Sequence, residues 1–116
     1  MGYVTGKTGE RFYEAELYRL KGELTLKAKA ERSQNKSQAS LESEAEECFH
    51  QAIEIAQRQG AKSLELRAVM SLSRLWQQQG RKAEAQQLLT EIYDWFTEGF
   101  DTKDLQDAKR LIKELS

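Results

Sequence analysis

Apolar residues along the 116-residue chain recur at intervals of three and four rather than two, the spacing that keeps one side of an α-helix out of water. Five stretches with this spacing predict five helices. The first runs from Gly9 or Glu10 to Arg32, with Phe12, Ala15, Tyr18, Gly22 and Leu26 along one stripe. The second, Leu41 to Gln59, turns Ala45, Cys48, Phe49, Ala52, Ile53 and Ala56 inward. Lys62 to Gln79 forms the third on Ala68, Val69, Leu72, Leu75 and Trp76. Lys82 to Glu98 forms the fourth on Ala85, Leu88, Leu89, Ile92, Tyr93 and Phe96. The fifth follows an N-cap at Asp101 or Thr102 and buries Leu105, Ala108, Leu111, Ile112 and Leu115.

Gly60, Gly80 and Gly99 each follow a run of helix formers, the place where a left-handed residue ends a helix. The resulting connections are short and make consecutive helices antiparallel neighbours. Residues 33–40 (SQNKSQAS) are polar and without periodicity, a solvated link between the first two helices. Residues 1–8 carry no helical stripe and are expected to be a disordered leader. The expected organisation is therefore residues 9–59 as one helical pair containing the long link, 61–98 as a second pair, and 101–116 as a closing helix.

Composition narrows the class further. Average usage of about 5% would put roughly six prolines in a chain of this length; there are none, which disfavours turn-rich β folds. Hydrophobic residues make up 39% and charged residues 32%, enough for a core and too polar for a membrane span. Eighteen basic residues against 19 acidic ones give a net charge of -1, without the basic surplus of a nucleic-acid binder. A single cysteine forms no internal disulfide, and the chain reads as cytoplasmic.

Two stretches superimpose when their small residues are aligned. Ala45, Phe49 and Ala52 share the spacing of Ala85, Leu89 and Ile92, and Gly22 and Ser73 are small residues set upstream inside strongly helical runs. This pattern resembles the tetratricopeptide repeat. Tyr18, Gly22, Ala45, Phe49 and Ala52 match one repeat, and Val69, Leu72, Ser73, Trp76, Gly80, Ala85 and Leu89 a second. The two alanines lie 40 residues apart, against a family period of about 34, and neither repeat has the usual closing proline. The strings GERFYEAELYRLKGEL, AEECFHQAIEIAQRQGAKSLELRA and DWFTEGFDTKDLQDAK also resemble the C-terminal helical-repeat region of large bacterial signalling proteins. Those proteins carry a nucleotide-binding ATPase module, often behind an adenylate cyclase or a DNA-binding domain. The resemblance implies a tetratricopeptide-like α-solenoid with a regulatory or scaffolding role in signal transduction, and carries over no cyclase or ATPase activity.

Candidate chemistry is sparse. In Gly2–Thr8 (GYVTGKT) three residues separate the glycines where a phosphate loop needs four, and no strand precedes them. Cys48 and His50 sit two positions apart on one helix and so point in different directions, which does not make a nucleophile–base pair. Tyr93, Trp95, Phe96 and Phe100 are expected to pin a helix end and its turn against the last helix. No catalytic, cofactor-binding or metal-ligating set is expected.

In the tetratricopeptide register the first and third helices line a concave face. Its outward positions include Arg19, Glu23, Arg67, Met70, Arg74 and Gln77, a cationic set suited to an acidic segment or a peptide C-terminal carboxylate. Removing Arg67 and Arg74 together is expected to weaken partner binding and leave the melting temperature nearly unchanged. The first helix also carries apolar residues on more than one side (Phe12, Tyr13, Leu17, Tyr18, Leu20, Leu24 and Leu26); one stripe can face the second helix, and the remainder predicts a homodimer through that helix. The function expected is a non-catalytic protein-interaction module with a protein or peptide partner and neither nucleic acid nor membrane. The alternative is a module that senses a small ligand and relays it to an attached ATPase, cyclase or DNA-binding domain.

Overall fold

The computed structural model describes the backbone of residues 2–31, 38–96 and 102–116, and side chains from 13–27, 39–96 and 102–116. It is all-α. Helices α1 (Gly2–Glu31), α2 (Gln38–Gln59), α3 (Lys62–Gln78), α4 (Lys82–Tyr93) and α5 (Lys103–Leu115) follow one another, and each packs against the next.

The hairpins are set by their turns. Gly60 and Gly80 adopt φ of +67° and +82°. At the first turn, Gly60 N–H donates to Gln57 O (3.1 Å) and Ala61 N–H to Ala56 O (2.9 Å). At the second, Gly80 N–H donates to Gln77 O (3.1 Å) and Arg81 N–H to Trp76 O (2.8 Å). Both pairs satisfy the last carbonyls of a helix in the manner of a Schellman motif, which needs a left-handed residue at its centre. The chain then reverses at once. Gln57 and Glu65 meet near the α2–α3 turn (3.0 Å), while Trp76 Nε1 donates to Glu46 Oε2 at the far end (3.2 Å), so the two helices are antiparallel.

α3 is the middle of the molecule. It touches α1, α2, α4 and α5, and every residue from Leu64 to Ser73 except Arg67 is buried. α1, α3 and α5 form one layer and α2 and α4 the other, in agreement with a shortest dimension of 20 Å, about two helix diameters. The main core joins Ala45, Phe49 and Ala52 of α2 to Leu66, Val69, Leu72 and Leu75 of α3, then to Ala85, Leu89 and Ile92 of α4 and Leu105, Ala108 and Leu111 of α5.

Small residues mark the closest crossings. Gly22 is buried against Phe49, and a Cβ at that position would lie 2.5 Å from the ring. Ser73 is fully buried, and its hydroxyl donates to Ala85 O (3.4 Å) at the equivalent crossing of α3 and α4. Thr102 is the N-cap of α5, its Oγ1 accepting from Leu105 N–H (3.4 Å).

Several boundaries differ from expectation. α1 starts at Gly2, so the backbone of residues 2–8, expected as a disordered leader, is helical. Extending an existing helix costs little per residue, and the glycines there only reduce that tendency. α2 starts three residues earlier than Leu41, at Gln38. α4 stops at Tyr93 rather than Glu98. Trp95 N–H and Phe96 N–H bond back three residues, to Ile92 O and Tyr93 O (both 3.1 Å), which tightens and ends the helix. Trp95 and Phe96 stack edge to face at 5.2 Å, but Trp95 is exposed and lies under Lys62 Nζ at the start of α3 (5.3 Å), not pinned on the last helix. The turn at Gly99 and Phe100, the side chain of Phe12 and most of the 33–40 link lie outside the described residues.

Two glycine substitutions separate the two uses of this residue. Gly22→Ala gains about 1 kcal/mol of helix propensity but drives a methyl group into the immobile Phe49 ring, so a net loss of about 1–2 kcal/mol is expected in urea denaturation. Gly22→Ala combined with Phe49→Leu should recover part of it. Gly80 has open space around it, so Gly80→Ala should lose about 1 kcal/mol through backbone strain alone and Gly80→Asn less.

Candidate functional site

The layer of α1, α3 and α5 presents one face built from side chains at matching heights. Glu16 of α1 meets Arg67 of α3, and Arg67 meets Asp104 near the start of α5. Further along, Arg19 and Glu23 of α1 meet Ser71 of α3. Arg74, about two turns beyond Arg67, neighbours Asp107 of α5, and the matching order of these contacts shows that the three helices run parallel.

A continuous polar spine joins them. Arg19 grips Glu16 with two bonds, Nε to Oε1 at 2.8 Å and Nη2 to Oε2 at 3.0 Å. Its Nη1 reaches Ser71 Oγ (3.4 Å), and the Ser71 hydroxyl donates to Glu23 Oε2 (2.6 Å). Arg67 donates through Nη1 to Glu16 Oε2 (3.3 Å) and through Nε to Asp104 Oδ2 (2.9 Å). Forked arginine–carboxylate pairs of this kind carry more geometric specificity than a lysine contact. The Arg19 hydrogen bonds hold the Glu16 carboxyl below its ordinary range, opposed by partial burial and helped by the charges of Arg19 and Arg67. The Arg67 pKa is raised, first by its bond to Asp104.

The residues expected to form the concave face therefore divide. Arg19, Glu23 and Arg67 lie on it, but Arg19 and Glu23 are bonded to Ser71 of α3, and Arg67 to Glu16 of α1 and Asp104 of α5. Met70 does not lie on it: at 4% exposure it belongs to the core, because α1 and α5 flank α3 on both sides and cover the middle of its outward stripe. Arg74 is exposed, with Asp107 of α5 as its electrostatic neighbour, and Gln77 is half-buried. Ser71 and Asp104 were not expected as members of the face. The Glu16–Arg19–Glu23 spacing of three and four already signals pairing along α1, whereas nothing local in α3 or α5 signals theirs. Arg67 makes two bonds across the helices, so its substitution alters packing contacts as well as any binding face. Arg74 is the neutral position to alter.

Beside this spine lies an apolar groove of about 680 Å³ lined by Leu20, Glu23, Leu24, Leu26, Lys27 and Gln78. The buried polar residues Glu65, Ser71 and Ser73 are each bonded to protein groups. Cys48 is buried and its thiol pKa is pushed up by burial, while His50 faces outward against Glu46 (3.4 Å). Among the described residues no group of His, Cys, Asp and Glu is arranged to hold a metal ion, and no helix is long and apolar enough to cross a membrane. No family model, curated protein or solved structure matches this chain.

Because the folded Glu16 pKa lies below its ordinary value of 4.5, the group contributes stability above that pH and loses it as pH falls through the folded value. Glu16→Gln should therefore lower stability at pH 7 by up to about 1 kcal/mol. The difference from the parent chain should hold above pH 4.5 and shrink as the pH is lowered below it, in urea titrations run at several pH values.

Proposed function

We propose that this chain is a non-catalytic protein-interaction module, a tetratricopeptide-like helical array that takes an extended peptide along the α1–α3–α5 face. The observation that supports it most is the pairing, on one face, of an apolar groove with adjacent cations. Leu20, Leu24 and Leu26 line the groove, Lys27 and Gln78 sit at its rim, and Arg74 stands exposed further along α3. An apolar side chain of a peptide would enter the groove, and a carboxylate would meet Arg74 or Lys27. The spine of Arg19, Glu16 and Arg67 serves a different purpose: it holds the three helices in register, so the face is organised before a ligand arrives.

The parallel first, third and fifth helices and the small residues at Gly22, Ala45, Ser73 and Ala85 fit the family resemblance read from the sequence. On that resemblance the module acts in the cytoplasm, as a regulatory or scaffolding part of a bacterial signalling system. The ligand-sensing alternative would need buried polar groups aimed into a cavity. Glu65, Ser71 and Ser73 instead spend their hydrogen bonds inside the protein, which favours the peptide reading.

Short acidic peptides with a free C-terminal carboxylate and their amidated forms, measured by fluorescence anisotropy, test the reading directly. The free carboxylates should bind more tightly. Arg74→Glu should weaken them about ten-fold, the scale of one charge-assisted pair, with an unchanged melting curve. Equal binding of both peptide forms, indifferent to Arg74→Glu and Lys27→Glu, would overturn the assignment.

A further inference from the structure

α1 has a second apolar side that none of the described helices covers. Tyr13, Leu17, Leu20 and Leu24 are 66%, 64%, 45% and 65% exposed. Their spacing is four, three and four, the seam of a coiled coil rather than a scatter of surface residues. Lys27, next in the same register, ends the apolar run.

The charges beside this seam indicate what covers it. On the flank nearer α2 stand Glu14 and Lys21, seven residues apart and opposite in sign. On the flank nearer α3 stand Glu16 and Glu23, both acidic, but these are occupied by Arg19, Arg67 and Ser71. A second α1 laid antiparallel on the seam places Tyr13 against the partner's Leu24 and Leu17 against the partner's Leu20. In that register Glu14 lies beside the partner's Lys21, and two-fold symmetry repeats the pair at the other end. A parallel arrangement would instead set Lys21 against the partner's Glu16, a carboxylate already held on both oxygens by arginine.

We infer that a second copy of this chain covers the seam, forming an antiparallel two-fold pair of α1 helices with reciprocal Glu14–Lys21 ion pairs. The inference does not rest on the peptide reading. The four side chains expose on the order of 400 Å² together, so two copies remove about 800 Å² from water before their flanks are counted. That is below the roughly 1,200 Å² of a firm interface, and the pair forms and separates in the micromolar range or above. Leu20 and Leu24 also line the peptide groove, so pairing covers one of its walls.

Sedimentation equilibrium of the full chain over a wide concentration range is the test. The parent should show a reversible monomer–dimer equilibrium, and Leu17→Glu, which lies outside the groove, should abolish it with an unchanged circular dichroism spectrum. Glu14→Lys should weaken pairing about ten-fold, the combined effect of two altered ion pairs, and adding Lys21→Glu should restore it. A parent that stays monomeric at near-millimolar concentration overturns the inference and leaves the seam to an unlike helix. Dimerisation that survives Leu17→Glu does so too, and indifference to Glu14→Lys overturns the antiparallel register. Peptide binding by the Leu17→Glu monomer separates this outcome from the fate of the groove.

Discussion

The hairpin at the start of this molecule depends on a missing atom. Where α1 crosses α2, the backbone of Gly22 lies directly on the Phe49 ring, closer than any side chain would permit. Phe49 is wholly buried and sits in the same core as Leu66, Val69 and Leu72 of α3. The approach at Gly22 therefore sets how α1 sits on α2, and through Phe49 how both sit on α3. Ser73 and Ala85 perform the equivalent task at the next crossing, with a hydroxyl that still bonds a carbonyl inside the core. Apolar burial supplies most of the driving force at such crossings, but it is not directional. The small residues give it direction by deciding where two helices come closest.

A second constraint acts within the layer of α1, α3 and α5. Polar side chains bridge them: Arg67 reaches carboxylates on both neighbouring helices, and Arg19 reaches the Ser71 hydroxyl. Partly exposed ion pairs add little stability individually. Their geometry matters more: the bonds of Arg19 and Glu23 to Ser71 and the two-way reach of Arg67 fit only one register of the three helices. The side chains that look most like ligand-binding cations are thus mostly structural. What this network leaves over on the face is Arg74, beside α5, and the groove lined by Leu20, Leu24, Leu26 and Lys27.

α1 carries two apolar sides. Ala15, Tyr18, Gly22 and Leu26 face the rest of the domain, while Tyr13, Leu17, Leu20 and Leu24 face outward. In a repeat array each helical pair buries part of its surface on the pair before it. On the proposed reading, the uncovered seam of α1 is the counterpart of that surface, and the charges beside it select the helix that fits.

The helical pitch of the apolar residues, the left-handed glycines at 60 and 80, the Thr102 cap and the close crossing at Gly22 were all legible along the chain. Each depends on residues within one helix, one turn, or one glycine too small to be accidental. Cys48 and His50 were likewise separable by their spacing alone. The fate of Met70 and Arg67 was not legible. Both occupy the outward stripe of α3, and periodicity assigns them the same environment. α5 lies more than thirty residues further along the chain, and its approach on the far side of α3 covers Met70 and supplies Asp104 to Arg67. Ser71 joined the face through Arg19 and Glu23 of α1, about fifty residues earlier in the chain, and α4 ended early where Trp95 and Phe96 N–H bond back three residues. Local sequence decides which side of a helix is apolar; how much of the other side is covered depends on how far apart its non-consecutive neighbours stand, and that distance exists only once the helices have packed.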